Sequence, residues 1–214
     1  KYLSLILTSI LLFFNMFSTI KVSAEVINEV TETEQIANNE YEIYPKPQKI
    51  IYEEGNFSFN NCVNVIFESG IDIYTKNRLE NEILKAHNIS YEISTTNEII
   101  SNKTNILVGI KGSGQVVDIY SNQYTLETEN LFEKTDSYFL SSHNNIITVL
   151  GKDTDSAFYG LTTLYHIFNQ TTNNSIRNFK IEDYSNVVTR GFIEGYYGNP
   201  WSVQDRMDLM TYGG

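Results

Sequence analysis

Ala157, Phe158, Leu161, Leu164, Tyr165 and Phe168 recur at helical spacing, which predicts one amphipathic helix from about Thr154 to Phe168. An apolar stripe of that length has to be buried against another layer. Asp153 or Thr154 can cap its start by accepting hydrogen bonds from free helix N–H groups. Gly160 interrupts it at a cost of about 1 kcal/mol relative to Ala, which suggests close packing against a sheet.

The rest of the chain supplies that sheet. Tyr44-Pro45-Lys46-Pro47 predicts an extended entry, because each proline fixes its own φ and pushes the preceding residue towards extended backbone. Short apolar strands are expected at 49–52, 56–59 and 63–67, with Glu54-Gly55-Asn56 as a hairpin turn between the first two. A helix is expected over 73–87, with Leu79, Ile83 and Ala86 at i, i+4 and i+7. Strands follow at 90–93 and 105–110, the second apolar throughout as in a strand covered on both faces. A short helix is expected around Gln115 to Tyr120. Strands at 138–141 and 146–150 flank a hairpin tip, Ser142-His143-Asn144-Asn145, where His143 reads as a solvated turn residue. A last strand at 175–183 closes an α+β domain. Glu182-Asp183 at its end reads as a surface turn.

Gly112-Ser113-Gly114 invites a phosphate-loop reading, but it lacks the full glycine spacing and no Lys-Ser/Thr follows. The formal charge of -11 argues against a nucleic-acid partner, since nothing would neutralise phosphates. With 41% hydrophobic and 19% charged residues the chain can bury a core. Cys62 is the single cysteine, so neither an internal disulfide nor a thiolate metal cluster can form, and no metal or cofactor is expected.

Lys1 precedes an apolar run through Phe17, and Lys21-Val22-Ser23-Ala24 follows; this describes a secretory signal over 1–24, with cleavage after Ala24. The run is interrupted by Thr8, Ser9 and Asn15 and is short for spanning, so no stable membrane insertion is expected after signal removal. Residues 25–40 are acidic and without a clear period, and read as a linker. The expected location is extracellular.

Beyond Ser185 the texture changes again. Val187 to Ile193 is an apolar run expected to form a buried strand, and Glu194-Gly195-Tyr196-Tyr197-Gly198-Asn199-Pro200-Trp201 follows it. Ser202-Val203-Gln204-Asp205 fits a capping box with Asp in place of Glu. Val203, Met207 and Met210 then line one helix face, with Arg206 and Asp208 on the solvated side. Strand, loop and helix form the repeating unit of a (β/α)₈ barrel, whose active sites use loops at the strands' C-terminal ends.

The stretch from Arg190-Gly191-Phe192-Ile193-Glu194-Gly195 to Trp201-Ser202, followed by Gln204-Asp205-Arg206, resembles the opening of the catalytic barrel in glycoside hydrolase family 84. That family holds the O-GlcNAcases and the bacterial enzymes called hyaluronidases. Upstream, Tyr44-Pro45-Lys46-Pro47-Gln48, Gly70-Ile71-Asp72 and Asp153-Thr154-Asp155-Ser156-Ala157-Phe158-Tyr159-Gly160 resemble the domain preceding that barrel, nearest to the clostridial mu-toxin branch. The expected organisation is an α+β hexosaminidase-type domain over 41–184, then the first βα unit of a truncated barrel over 185–214. A related domain precedes the family 20 hexosaminidases, but their barrel opens differently, and the Glu-Gly-Tyr-Tyr-Gly run favours family 84.

The resemblance implies a retaining exo-β-N-acetylglucosaminidase whose substrate assists its own cleavage, the 2-acetamido oxygen attacking the anomeric carbon. One aspartate orients the acetamide, and its sequence neighbour protonates the leaving oxygen. No Asp-Asp pair occurs in this chain, so the pair is expected beyond Gly214 and no catalytic residue is assigned. A barrel needs about 250 residues, and fewer than thirty follow Ser185, so the chain alone is expected to be inactive. The resemblance gives Gly195 one role, contact with the sugar through its backbone carbonyl; without a Cβ the backbone can approach a hydroxyl closely. Tyr196 and Tyr197 read as packing residues under the loop, Glu194 as a structural hydrogen-bonding group and Trp201 as a wedge between loop and barrel. The implied partners are N-acetylglucosamine-containing glycans. The competing readings are a secreted carbohydrate-binding or adhesion module, and an inactive homologue lacking the aspartate pair.

Overall fold

Seven strands, β1 (Lys49–Ser58), β2 (Val63–Phe67), β3 (Tyr91–Ile93), β4 (Asn105–Ile110), β5 (Thr135–His143), β6 (Ile146–Gly151) and β7 (Ser175–Ser185), form one mixed sheet. The helices are α1 (Ile73–Asn77), α2 (Val116–Ser121), α3 (Thr154–Phe168) and α4 (Val203–Gly213). The structure, a computed structural model, describes residues 40–59, 62–172, 174–195, 198 and 200–213. The signal over 1–24 and all of the linker except Glu40 lie outside the described residues, as do Tyr196, Tyr197 and Asn199.

The strand order is β1-β7-β5-β6-β4-β2-β3. Strands β3, β2, β4 and β6 run parallel, and β6, β5, β7 and β1 pair antiparallel. Alternation sends successive side chains to opposite faces. Ile106 and Val108 of β4 and Ile147 and Val149 of β6 join the larger core with Leu161, Leu164 and Ile167 of α3. Leu107 of β4 and Leu150 of β6 face the other way and pack with Val117 of α2, Leu131 and Phe139. The α+β expectation holds.

Helix α3 covers the sheet as its periodicity requires. Asp153 Oδ1 accepts from Ser156 N at 2.8 Å and caps the start. A Cβ on Gly160 would lie 2.8 Å from Val149 Cγ1 and 3.2 Å from Tyr138 Cδ2, so the glycine marks a close helix–sheet approach.

Several local expectations are corrected. Residues 49–58 form one strand, because β1 pairs along its length with β7; Glu54-Gly55-Asn56 is a bulge and not a hairpin. Gly55 takes φ +89° there, and Asn178 Nδ2 donates to Glu54 O at 2.8 Å. The β5–β6 turn is Asn144-Asn145 alone, both at positive φ, as a two-residue hairpin turn demands. His143 is therefore the last residue of β5, its Nδ1 3.2 Å from Glu53 Oε2. The entry segment bends at Tyr44-Pro45, whose peptide bond is cis.

Helix α1 widens to π-helical geometry over Arg78–Lys85. The i→i+5 spacing turns Leu79, Ile83 and Leu84 inward and leaves the expected core residue Ala86 exposed. Glu182 and Asp183 are part of β7 and not of a surface turn. Glu182 is buried, and its carboxylate accepts from Glu127 N at 2.7 Å and Thr128 N at 2.6 Å.

The largest departure is the run 187–193. It forms no strand, and Val188 and Ile193 are 85% and 98% exposed. A barrel strand is held by ladder hydrogen bonds to neighbours on both sides. None of the seven described strands pairs with this run.

Candidate functional site

Strand β7 hands the chain to the glycine- and aromatic-rich segment through Ser185, whose hydroxyl donates to Val187 O at 2.7 Å. Arg190 then folds back onto the domain. Its Nη1 donates to Ser185 Oγ at 2.5 Å and its Nη2 to Asp136 Oδ2 at 2.8 Å, while the guanidinium lies 5.4 Å from the Tyr159 ring centroid. Asp136 sits at a bulge of β5, with φ +50°. Elements β5, β7 and α3 thus converge on one arginine.

Four residues on, Glu194 is anchored from the other side. Arg206 of α4 donates to both its carboxylate oxygens, Nε to Oε2 at 2.7 Å and Nη2 to Oε1 at 2.9 Å. Trp201 N adds a longer bond to Oε1 at 3.4 Å. The helix start is itself fixed: Asp205 N donates to Ser202 Oγ at 3.1 Å, and Ser202 N and Oγ donate to Asp205 Oδ2 at 3.0 and 2.7 Å. This is the expected capping box. The hydrogen bonds and charge of Arg206 hold the Glu194 carboxyl below the usual glutamate range. With both oxygens accepting hydrogen bonds, Glu194 is placed as the structural hydrogen-bonding group that was expected.

Arg206 corrects the expectation of a solvated residue. Helical spacing identifies the face it occupies, but not the loop that returns to meet that face. Trp201 is 47% exposed. Val203, Met207 and Met210 form an exposed apolar face on α4. Asp208 is exposed and accepts from Gln204 Nε2 at 2.7 Å.

Gly195 follows Glu194 directly, at the surface. Gly198 takes φ +111°, a conformation that glycine adopts without strain, and no atom lies within 4 Å of where its Cβ would be. What Gly195 can present to a ligand is therefore backbone that directly follows the anchored Glu194 side chain. Among the described residues no cluster of His, Cys, Asp or Glu could hold a metal ion, and no helix is long and apolar enough to cross a membrane.

The loop at Gly112-Ser113-Gly114 does receive an anion, and it belongs to the protein. Buried Glu68 accepts from Val117 N at 2.7 Å, Asp118 N at 3.0 Å, Ile110 N at 2.9 Å and Ser113 Oγ at 2.8 Å. Its carboxylate occupies the donors that a phosphate would need. Sequence reasoning missed Glu68, because its partners lie 42 to 50 residues away and no local pattern links them. Asp136 was missed for the same reason, its partner Arg190 lying 54 residues away.

Residues 40–184 match the family described as glycosyl hydrolase family 20, domain 2, and residues 190–214 match the family described as beta-N-acetylglucosaminidase. Among solved structures, CpGH84D is similar at 49% identity with a TM-score of 0.78, over 82% of this chain and 29% of that one. CpGH84B is similar at 23% identity and a TM-score of 0.64, over 81% of this chain and 28% of that one, a likeness of fold. The chain thus spans less than a third of the length of either structure.

Proposed function

The chain belongs to the glycoside hydrolases of the family 84 N-acetylglucosaminidase type, and from that premise we propose that its parent protein removes terminal β-linked N-acetylglucosamine from glycans. The observation that carries this reading is the match of residues 190–214 to a β-N-acetylglucosaminidase family, over the same segment that the structure anchors at Arg190 and Glu194.

In this reading the reaction retains configuration. The substrate's acetamide oxygen attacks the anomeric carbon as the bond to the leaving oxygen breaks, giving an oxazoline that water then opens. This differs from the double displacement in which an enzyme carboxylate is the nucleophile. Two aspartates outside this sequence orient the acetamide and protonate the leaving oxygen. Gly195 contributes a backbone carbonyl to a sugar hydroxyl, and the α+β domain supports the segment. The protein is exported by its first 24 residues and acts on host glycoconjugates in the hyaluronidase-like manner.

The test is release of 4-nitrophenol from its N-acetyl-β-glucosaminide by the full-length parent, and loss of that release on replacing either aspartate of the downstream pair. A wild-type protein inactive on this substrate and on natural glycans would favour a binding module or an inactive homologue.

A further inference from the structure

Glycine has no side chain with which to hold its own place, so the position of a glycine carbonyl is set by its neighbours. At Gly195 the preceding neighbour is Glu194, fixed by two bonds from one rigid guanidinium fork. That fork projects from the first turns of α4, whose start is capped by Ser202 and Asp205. The Glu194 side chain is only 13% exposed, with both carboxylate oxygens engaged. Trp201 N, at the far end of the same loop, reaches the same carboxylate. One carboxylate therefore ties residue 194 to the start of α4.

We propose that Glu194 and Arg206 are positioning residues that hold the Gly195 backbone in register with the sugar. This rests on the sugar-contact role proposed above for Gly195, and it assigns neither side chain to the sugar itself. The pair acts through a contact made alike in the ground state and the transition state, so its loss should weaken substrate binding more than it slows the chemical step. A carboxylate serving merely to stabilise the fold would not separate the two constants in this way.

The experiment uses the full-length parent with 4-nitrophenyl N-acetyl-β-glucosaminide, comparing wild type with Glu194→Gln, Arg206→Lys and the charge-exchanged double variant Glu194→Arg/Arg206→Glu. Thermal unfolding of each confirms that the folded protein is being compared, and Arg206→Lys keeps the charge while removing the fork. Each single variant should raise KM about tenfold with kcat held within about twofold, and the exchanged pair should recover part of the loss. Singles that keep the wild-type KM, or that lower kcat at unchanged KM, would overturn the positioning role alone. An inactive wild type would overturn the hydrolase reading and the positioning role with it.

Discussion

The guanidinium of Arg190 lies 2.8 Å from the carboxylate of Asp136, joining the segment after β7 to a bulge 54 residues earlier in β5. Both side chains are partly exposed, at 49% and 31%, so the pair adds at most about 1 kcal/mol to stability. Its effect is local. Arg190→Ala should leave the unfolding midpoint of the α+β domain nearly unchanged while speeding amide hydrogen exchange over 186–195. Unchanged exchange there would show that the clasp restrains nothing.

Glu68 is the reverse case, an internal anion with four donors aimed at it. Glu68→Gln places an amide where two of those donors expect a carboxylate oxygen, leaving N–H groups facing N–H groups. The expected loss is on the order of 3 kcal/mol, read by urea unfolding. A variant as stable as wild type would mean that the loop around Gly112 finds its partners elsewhere.

Gly160→Ala sets two effects of similar size against each other. Ala gains about 1 kcal/mol of helix propensity, but its Cβ would meet Val149 Cγ1 at 2.8 Å. Val149 is β-branched and fully buried, so it cannot swing aside cheaply. Overpacking costs typically about 1–3 kcal/mol, and a net loss of about 1 kcal/mol in unfolding free energy is predicted. A stabilised variant would contradict the close approach of α3 to β5 and β6.

These elements show what was legible in the residues. Helix α3 could be read because its burial pattern is set by neighbours three and four positions away. The turn at Asn144-Asn145 could be read because asparagine tolerates positive φ, although His143 was placed one step too far into it. The bulge at Gly55 was misread because glycine flanked by polar residues marks both a turn and a bulge; only pairing with β7, more than a hundred residues on, decides between them. Ala86 was misplaced because a period of 3.6 does not anticipate a π-helical turn. At the candidate site the motif pointed to the segment around Gly195, while the ion pairs Arg190–Asp136 and Glu194–Arg206 depend on contacts that sequence spacing does not encode. The run 187–193 has a strand's composition, but a strand needs partners.

Asp183 predicts a pH effect. Burial raises its pKa, outweighing the hydrogen bonds it accepts from Gln48 N and the Tyr138 hydroxyl. The folded state thus binds this proton at a higher pH than the unfolded chain does. Its contribution is fully present below the unfolded value of about 4 and is lost as pH rises through the raised folded value. Thermal midpoints across that window should show an acid-side gain in the wild type that Asp183→Asn removes. A gain of the same size in the variant would assign it to another group.

The most direct measurement sets 4-nitrophenyl N-acetyl-β-glucosaminide against 4-nitrophenyl β-glucoside, which differs in lacking the acetamide that serves as nucleophile. With the full-length parent, cleavage of the acetamido sugar and none of the glucoside is the predicted result. Equal cleavage of both, or of neither, would contradict the account.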